Sequence, residues 1–339
     1  MPRVIGIDAG TVTVDVVGLD DGRVFLERSF PAAEVLADPA TLVAILESAA
    51  PLDLVVAPSG YGLPLTPVRD LSDDDLAVAF LAAPGERGGI AGLKALLRAL
   101  AQLPVDVVVT PGVIHLPTVP AHRKVNRVDM GTSDKVCAVA LAVYEQSASV
   151  GGGPDEASFI LVELGGAFTA AVAVERGRIV DGLGGSSGPL GARACGAWDG
   201  EVAFLAGHVS KAMIFTGGAE TIGGADGLAA YQESALKAIA VLSVSAPLAR
   251  DVMLSGRYAS RIGAVLAGDG DRRVLTLGRS VTTTQGAYGA ALIADGLAGG
   301  AAKAIVDRLA IREASGSVLD HLHVIAPAAA RARLGIGTA

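Results

Sequence analysis

The sequence predicts an α/β fold made of two similar halves, each starting with three β-strands and continuing with alternating helices and strands. The strand–turn–strand pattern that opens the chain recurs from Ser158 onwards, and an internal repeat of this kind implies two similar supersecondary units. A chain of 339 residues is long for one compact core but sufficient for two domains. Hydrophobic residues make up 51% of the sequence, so each half can bury a sizeable core.

The first half opens with two strands joined by a tight turn. Residues 3–8 form the first strand of the prediction, and residues 12–17 form the returning strand. Asp20-Asp21-Gly22-Arg23 is a hairpin signal, after which residues 24–28 complete the three strands. The later elements of this half are a helix that starts at the N-cap and proline of 38–40 and ends at 47, a strand over 52–57, a helix over 89–103 and a strand over 105–110.

The second half repeats this order of elements. Strands over 159–164 and 168–174 enclose a turn, and a hairpin at 175–178 leads into a third strand. The later elements are a helix over 228–245, a strand over 251–255, a helix over 259–266, a strand over 273–277 and helices over 286–297 and 301–311.

The repeat also divides the chain into two expected domains. The first covers residues 1–125 and contains the first turn, and a C-terminal helix over 300–339 could complete it. The second covers residues 126–299 and contains the second turn and the strand end near residue 255.

Composition excludes several classes of function and location. The net charge of −8 argues against a nucleic-acid partner, which needs a basic face. Cys137 and Cys195 are too few for a disulfide framework and indicate a reducing compartment. The chain opens without a signal-peptide pattern, and polar residues interrupt every long apolar run. We expect a cytoplasmic protein with a small-molecule substrate, no nucleic-acid partner and no membrane partner.

The turn between the first two strands has the composition of a phosphate-binding loop. The backbone N–H groups of Gly10 and Thr11 can point at phosphate oxygens without obstruction by bulky side chains. Thr11 and Thr13 add hydroxyl donors, and Asp8 at the strand end could orient a Mg²⁺ ion through water molecules. An ordinary hairpin turn remains the alternative for this loop when it is considered alone.

Two further loops have a related form in the second half. Gly165 and Gly166, with Thr169 beyond them, form a second candidate phosphate loop in the equivalent position of the repeat. Ser255 and Gly256 follow an apolar strand and precede a helix, at the kind of sheet edge where nucleotides bind in open α/β sheets. Each of these loops alone could be structural, but the repetition favours two facing phosphate loops.

A dense polar cluster precedes an apolar helix in the middle of the chain. Helix capping by Thr132, with Asp134 in the first turn, is one interpretation. Alternatively, Arg127 and Lys135 beside a carboxylate would bind an anionic substrate and its transferring phosphate. Asp129 is the candidate to polarise an acceptor hydroxyl, whereas a carboxylate acceptor needs no base.

The loop over 58–64 is rich in glycine and proline and follows a buried strand. Loops held by a rigid sheet often carry binding groups, so Ser59 and Tyr61 are candidate substrate contacts. A shaped turn without a binding role is the alternative interpretation.

These motifs resemble the first phosphate, second phosphate and adenosine motifs of the acetate and sugar kinase/heat-shock cognate/actin superfamily. Residues 161–181 are similar to the second phosphate hairpin of the butyrate and acetate kinases. The chain from 3 to 300 looks like a mainly archaeal family labelled predicted butyrate kinase, through the segments 6–11, 58–64 and 127–135.

The resemblance implies a duplicated ribonuclease-H-like fold, the actin-like ATPase fold, with mixed sheets, an interdomain cleft, and ATP and Mg²⁺ as cofactors. Asp8 falls where sugar kinases and actins have a metal-orienting aspartate, although acetate kinases have asparagine there. Asp129 lies near a cleft aspartate of the acyl-phosphate kinases, and Arg193 matches an arginine that follows the second hairpin. Gly256 matches the adenosine motif, but Arg257 stands where a second glycine is usual. Acetate kinases also have a histidine that is assigned to contact with the phosphoryl group, and this sequence has no clear counterpart of it.

The leading hypothesis is therefore a Mg²⁺- and ATP-dependent phosphotransferase. The second-half resemblance favours a short-chain carboxylate acceptor, whereas Asp8 and Asp129 support a sugar or polyol acceptor. A slow or non-catalytic ATPase that works as a regulatory switch is the alternative from another class. A phosphohydrolase or carbamoyl-transfer protein would need a water-positioning glutamate, for which Glu163 is a weak candidate, or an iron site. Resemblance to acyl kinases also makes a homodimer an expectation.

Overall fold

The computed structural model describes residues 2–84, 89–267, 272–278 and 283–337. The first half contains strands β1 (Arg3–Ala9), β2 (Thr13–Asp20), β3 (Arg23–Pro31), β4 (Leu54–Ala57), β5 (Thr66–Pro67) and β6 (Val107–Val109) and helices α1 (Ala32–Ala37), α2 (Ala40–Ser48), α3 (Asp73–Phe80), α4 (Gly89–Leu100), α5 (Ala121–Lys124) and α6 (Ser133–Val150).

The second half contains strands β7 (Phe159–Leu164), β8 (Thr169–Glu175), β9 (Arg178–Leu183), β10 (Asp251–Ser255) and β11 (Arg273–Thr276) and helices α7 (Gly200–Ala206), α8 (Ala219–Ile222), α9 (Gly224–Ser243), α10 (Ala259–Ala267), α11 (Gln285–Leu297), α12 (Lys303–Leu309) and α13 (Pro327–Arg333). No helix in the described ranges is long and apolar enough to cross a membrane.

The two sheets repeat one topology. The first has the order β3-β2-β1-β4-β6-β5, and the second has the order β11-β10-β7-β8-β9. In each, the first strand pairs antiparallel with the second and parallel with the fourth, as β1 does with β2 and β4 and as β7 does with β8 and β10. Strand β5 is an addition at the edge of the first sheet. The predicted duplication of a mixed α/β unit is confirmed.

Three hydrophobic cores stack the elements into layers. Ile5 on β1 packs with Leu42 on α2 and with α4, which places these helices on the outer face of the first sheet. Ile160 on β7 packs with Leu242 on α9 and with α10, on the outer face of the second sheet. Between the sheets lies the largest core, built around α6 and α11. The two helices therefore form the layer that joins the halves.

Backbones approach unusually closely in this central layer. A Cβ atom placed at Gly289 of α11 would lie 1.7 Å from the carbonyl oxygen of Cys137 on α6. A Cβ atom placed at Gly6 of β1 would lie 2.1 Å from the backbone nitrogen of Ala291 on α11. Only glycine permits such approaches, and they hold α11 against the first sheet although it follows the second sheet in sequence.

The C-terminal region differs from the single helix expected over 300–339. It contains two short helices, because Ala310 adopts a left-handed conformation with φ of 55° and ends α12. The segment that follows lies on the first half of the chain. Ser315 N–H donates to the carbonyl oxygen of His115 at 3.0 Å, and His323 N–H donates to Asn126 Oδ1 at 2.7 Å.

Candidate functional site

The two predicted phosphate loops have the same backbone geometry. Gly10 N–H donates to the carbonyl oxygen of Thr13 at 2.9 Å, and Gly165 N–H donates to the carbonyl oxygen of Phe168 at 3.0 Å. Each bond closes the turn between the first two strands of its sheet. The repeat seen in the sequence is therefore also a repeat of local hydrogen bonding.

The two turns come from opposite halves of the chain and lie close to each other. A Cβ atom placed at Gly166 would lie 3.6 Å from Cγ2 of Val12 and 3.9 Å from Oγ1 of Thr11. These are ordinary van der Waals distances, so the two loops face each other at the junction of the halves.

Two of the predicted hydroxyl donors do not face this junction. Thr13 Oγ1 donates to Asp15 Oδ2 at 2.7 Å, so its proton is directed along the strand instead of towards a phosphate group. Thr169 is fully buried at the start of β8. Thr13 is therefore engaged within its own strand and Thr169 is buried, and cofactor binding by these two side chains stays a prediction.

Asp8 lies at the end of β1 in a confined polar environment. It is only 8% exposed, and Oδ2 accepts a hydrogen bond of 2.6 Å from Thr284 Oγ1. Burial, together with the negative charge of Asp134, raises the pKa of Asp8 to about 7. A cavity of about 10 Å³, which is roughly the room of one water molecule, adjoins both carboxylates and is also lined by Ser133.

Lys135 lies at the centre of the neighbouring charge cluster. Its Nζ atom donates to Glu163 Oε1 at 2.6 Å and also to Asp134 Oδ2, and its side chain is 14% exposed. Burial opposes its ionisation, but the two carboxylates outweigh this effect and raise the pKa of Lys135. Lys135 was expected to meet substrate; its ammonium group is instead held between two carboxylates.

The carboxylates of the cluster respond in opposite ways to their surroundings. Burial raises the pKa of Glu163, which the positive charge of Lys135 offsets only in part. For Asp134, burial also opposes ionisation, but Lys135 and the hydroxyl of Thr132 prevail and lower its pKa. Thr132 thus donates to Asp134 and makes no side-chain cap bond to α6.

The oxygen-rich surroundings of Asp8 fit a magnesium ion. In the parts of the chain that the structure describes, no three His, Cys, Asp or Glu side chains converge as direct ligands. Magnesium commonly uses one or two carboxylates, with water and substrate phosphates as the other ligands. Asp8 meets that requirement, and Asp134, whose oxygens accept from Thr132 and Lys135, lines the same small cavity.

Asp129 belongs to a second polar cluster, on the other side of the second turn. The residue is 6% exposed, and its Oδ1 accepts a bond of 3.1 Å from Gly131 N–H. Its Oδ2 accepts bonds of 3.0 Å from both the backbone N–H and the hydroxyl of Ser186. The loop that carries Ser186 also touches the second turn, because a Cβ atom placed at Gly185 would lie 2.6 Å from Cβ of Phe168.

Sequence reasoning missed this loop. The run Gly184-Gly185-Ser186-Ser187-Gly188 directly after β9 was the available signal, because glycines allow close approach and serines supply hydroxyls. A Cβ atom placed at Gly184 would lie 1.8 Å from Asp129 Oδ1.

Tyr61 and two basic residues complete the Asp129 cluster. The Nζ atom of Lys211 lies 5.2 Å from the centre of the Tyr61 ring. Burial and the nearby charge of Asp129 raise the pKa of Tyr61. Arg127 NH1 donates to the carbonyl oxygen of Ser187 at 3.0 Å. The structure thus brings together the predicted residues Tyr61, Arg127 and Asp129, and adds Lys211, for which the sequence offered no local signal.

Two other residues predicted for the site, Ser59 and Arg193, lie elsewhere than in the Asp129 cluster. Ser59 is fully buried, and its hydroxyl donates to the carbonyl oxygen of Thr110 at 2.7 Å. It ties the ends of two strands together, and its contact with substrate stays a prediction. Arg193 is exposed, and its Nε donates to the carbonyl oxygen of Gly166 at 3.1 Å, which places it beside the second turn.

The predicted adenosine loop lies beside the second turn. Gly256 has φ of 88°, and a Cβ atom there would lie 2.5 Å from the carbonyl oxygen of Leu164 at the end of β7. Ser255 is buried at the end of β10, and Arg257 is exposed. Tyr258 N–H donates to the same Leu164 oxygen at 3.0 Å, which fixes the loop.

Tyr258 also builds a small surface next to this loop that the sequence did not reveal. Its hydroxyl donates to Glu220 Oε1 at 3.0 Å, and the guanidinium of Arg261 lies 4.5 Å from its ring centre. Aromatic and guanidinium groups of this kind stack on flat, conjugated ligands.

Comparison with solved structures agrees with this architecture. The acetate kinase of Porphyromonas gingivalis aligns over 87% of this chain and 99% of its own, with 13% identity and a TM-score of 0.58. A propionate kinase of Francisella tularensis aligns over 85% of this chain and 99% of its own, with 11% identity and the same TM-score of 0.58. At such low identity, the coverage and the TM-score show a shared fold alone, and the expected duplicated ribonuclease-H-like fold is confirmed.

Sequence comparison adds a family. No curated protein matches the chain by sequence. One family model, described as "Protein of unknown function (DUF1464)", matches residues 6–324, which include both turns, both polar clusters and the adenosine loop. The chain therefore belongs to this family.

Proposed function

We propose that this chain is a Mg²⁺- and ATP-dependent phosphotransferase that phosphorylates a small anionic metabolite. The facing pair of turns, Gly10 to Thr13 and Gly165 to Phe168, is the observation that supports the proposal most strongly. Two glycine-containing turns that approach from opposite halves can supply backbone N–H groups to both sides of a triphosphate.

The nucleotide would lie between the halves, with its phosphates at the turns. The loop at Gly256 and the Tyr258–Arg261 surface are on the side of the second turn, where they can meet the base and ribose. Asp8, with Asp134 behind it, would hold a magnesium ion through water molecules. When bound, that ion would neutralise charge on the transferring phosphoryl group.

The acceptor would lie at the cluster of Tyr61, Arg127, Asp129 and Lys211. Two cations favour an anionic acceptor, and the Asp129 carboxylate already accepts three hydrogen bonds. A carboxylate acceptor needs no general base, so this arrangement suits it better than a sugar hydroxyl does. The resemblance to butyrate kinases favours the same class, and short-chain carboxylates are the acceptors that we propose to test first.

A regulatory ATPase is the second candidate, and one contact favours it. The turns are so close that a Cβ atom added at Gly166 would lie 3.6 Å from Val12, so the halves must separate for a triphosphate to enter between them. Such a separation and closure would be a signal to a partner even if phosphate transfer were slow.

A thermal-shift screen tests both candidates. ATP with Mg²⁺ should raise the melting temperature, since ligands that bind only the folded state stabilise it by mass action. The shift should be lost in Asp8→Ala and kept in Asp74→Ala, an exposed aspartate in α3. A further shift with one member of a panel of short carboxylates, polyols and sugars, followed by ADP release, supports the kinase. A nucleotide shift without any responsive acceptor supports the switch, and no nucleotide shift rejects both.

A further inference from the structure

The hydroxyl of Thr284 links the start of α11 to Asp8. Its oxygen accepts a bond of 3.3 Å from Ala287 N–H, which caps the N-terminus of α11. The same hydroxyl lies 2.6 Å from Asp8 Oδ2, to which it donates, and the carboxylate of Asp15 is also close to it. The helix cap and the link to Asp8 are therefore made by a single group.

The element that carries Thr284 is rigidly attached to the strand that carries Asp8. A Cβ atom placed at Gly286 would lie 2.5 Å from Asp8 Oδ2, and α11 contacts β1 again at Gly6 and Ala291. The helix start and the strand end are closely coupled, because Gly286 lies directly against the Asp8 side chain and the backbones meet at Gly6 and Ala291.

We infer that Thr284 is a positioning residue that orients the Asp8 carboxylate for a divalent metal, an inference that rests on the proposed function. With Oδ2 held by the hydroxyl, the carboxylate cannot rotate, and Oδ1 remains to meet a metal ion or its water. No donor from the described part of the chain contacts Oδ1 through a hydrogen bond. Residues that orient metal-binding carboxylates influence metal affinity strongly without touching the metal.

Manganese binding to the full chain tests this role. The free Mn²⁺ signal in electron paramagnetic resonance would be titrated in the presence of a non-hydrolysable ATP analogue. We expect Thr284→Val to weaken Mn²⁺ binding roughly tenfold or more, and Thr284→Ser to keep it within about twofold. Thr284→Gly, which retains an acceptable N-cap without a hydroxyl, should behave like the valine variant. Binding of the analogue without metal should not change.

Asp8→Asn and the double variant Asp8→Asn/Thr284→Val complete a double-mutant cycle for Mn²⁺ binding. If Thr284 acts through Asp8, the second substitution weakens Mn²⁺ binding no further once Asp8 is replaced. The inference would be overturned if Thr284→Val weakened Mn²⁺ binding equally with Asp8 and with Asn at position 8. It would also be overturned if Thr284→Ser bound Mn²⁺ as weakly as Thr284→Val. Wild-type affinity in the valine and glycine variants would overturn it as well. If the wild-type protein binds no Mn²⁺ with the analogue, the proposed function itself fails, and that result differs from all the others.

Discussion

Lys135 and Glu163 join the central helix α6 to the first strand of the second sheet through an ion pair of 2.6 Å. The same ammonium group also contacts Asp134, so one cation serves two largely buried carboxylates. Because Glu163 directly precedes the last residue of β7, the pair fixes the base of the second turn relative to α6.

Removal of the lysine charge should destabilise the protein substantially. Lys135→Met leaves Asp134 and Glu163 close together and uncompensated, and breaking such a buried pair costs about 3–5 kcal/mol. Urea unfolding would measure the loss. The matched control is Lys237→Met, which removes an exposed pair with Glu233 and should leave the unfolding free energy almost unchanged. Similar losses in both variants would contradict the buried-pair interpretation.

His115 should make the protein less stable in acid. It is 2% exposed, and burial lowers its pKa to about 4. In the unfolded chain the His115 imidazole has a pKa of about 6.5. Above that pH both states are neutral at His115, and the folded state has its full stability. That stability should decrease by up to roughly 3 kcal/mol as the pH falls from 6.5 to 4.

Unfolding curves measured at several pH values would test this. His115→Gln should flatten the dependence between pH 6.5 and 4, whereas replacement of the exposed His208 by glutamine should leave it unchanged. An unchanged pH dependence in the His115 variant would assign the effect to other groups.

The close backbone contacts of α11 should not tolerate a methyl group. Gly289→Ala would place Cβ 1.7 Å from the Cys137 oxygen, so the helices must separate, at a cost of about 3 kcal/mol or more. Gly200→Ala is the control, since no atom lies within 4 Å of its added Cβ. Thermal unfolding should show a large decrease for the first variant and almost none for the second. Equal stability would mean that the contact between the helices is looser than described.

Metal affinity should depend on pH through Asp8. Burial and the neighbouring Asp134 charge raise its pKa to about 7, so metal and proton compete for the carboxylate below that pH. Mn²⁺ affinity in the presence of the ATP analogue should fall about tenfold per unit below pH 7 and level off above it. Asp8→Asn should bind weakly with little pH dependence. A wild-type affinity independent of pH between 5 and 7 would contradict this role of Asp8.

Local features of the site could be predicted from the sequence, because short-range hydrogen bonds decide them. The turns at Gly10 and Gly165 each close over three residues, and their glycines and flanking strands were sufficient signals. The bond from Thr13 to Asp15 was also within reach, since residues two apart lie on the same face of a strand. The phosphate contact expected of Thr13 stays a prediction.

The remaining parts of the site depend on the topology of the whole chain. Thr284 meets Asp8 across 276 positions, and Lys211 approaches Tyr61 across the junction of the halves. No periodicity or motif encodes such pairs, because they follow from how two sheets and two central helices stack. Burial of Ser59 has the same origin, since a loop that looks exposed in sequence is covered by α6.

The close approach of the turns at Gly166 and Val12 has a consequence for the time course of nucleotide binding. If the turns must part before a triphosphate enters, the observed association rate will rise with nucleotide concentration and then reach a plateau. The value at the plateau is the rate constant of the opening motion itself. Movements of this size take microseconds to milliseconds. At nucleotide concentrations on the plateau, the opening of the protein limits the rate of binding, and the ligand concentration no longer affects it.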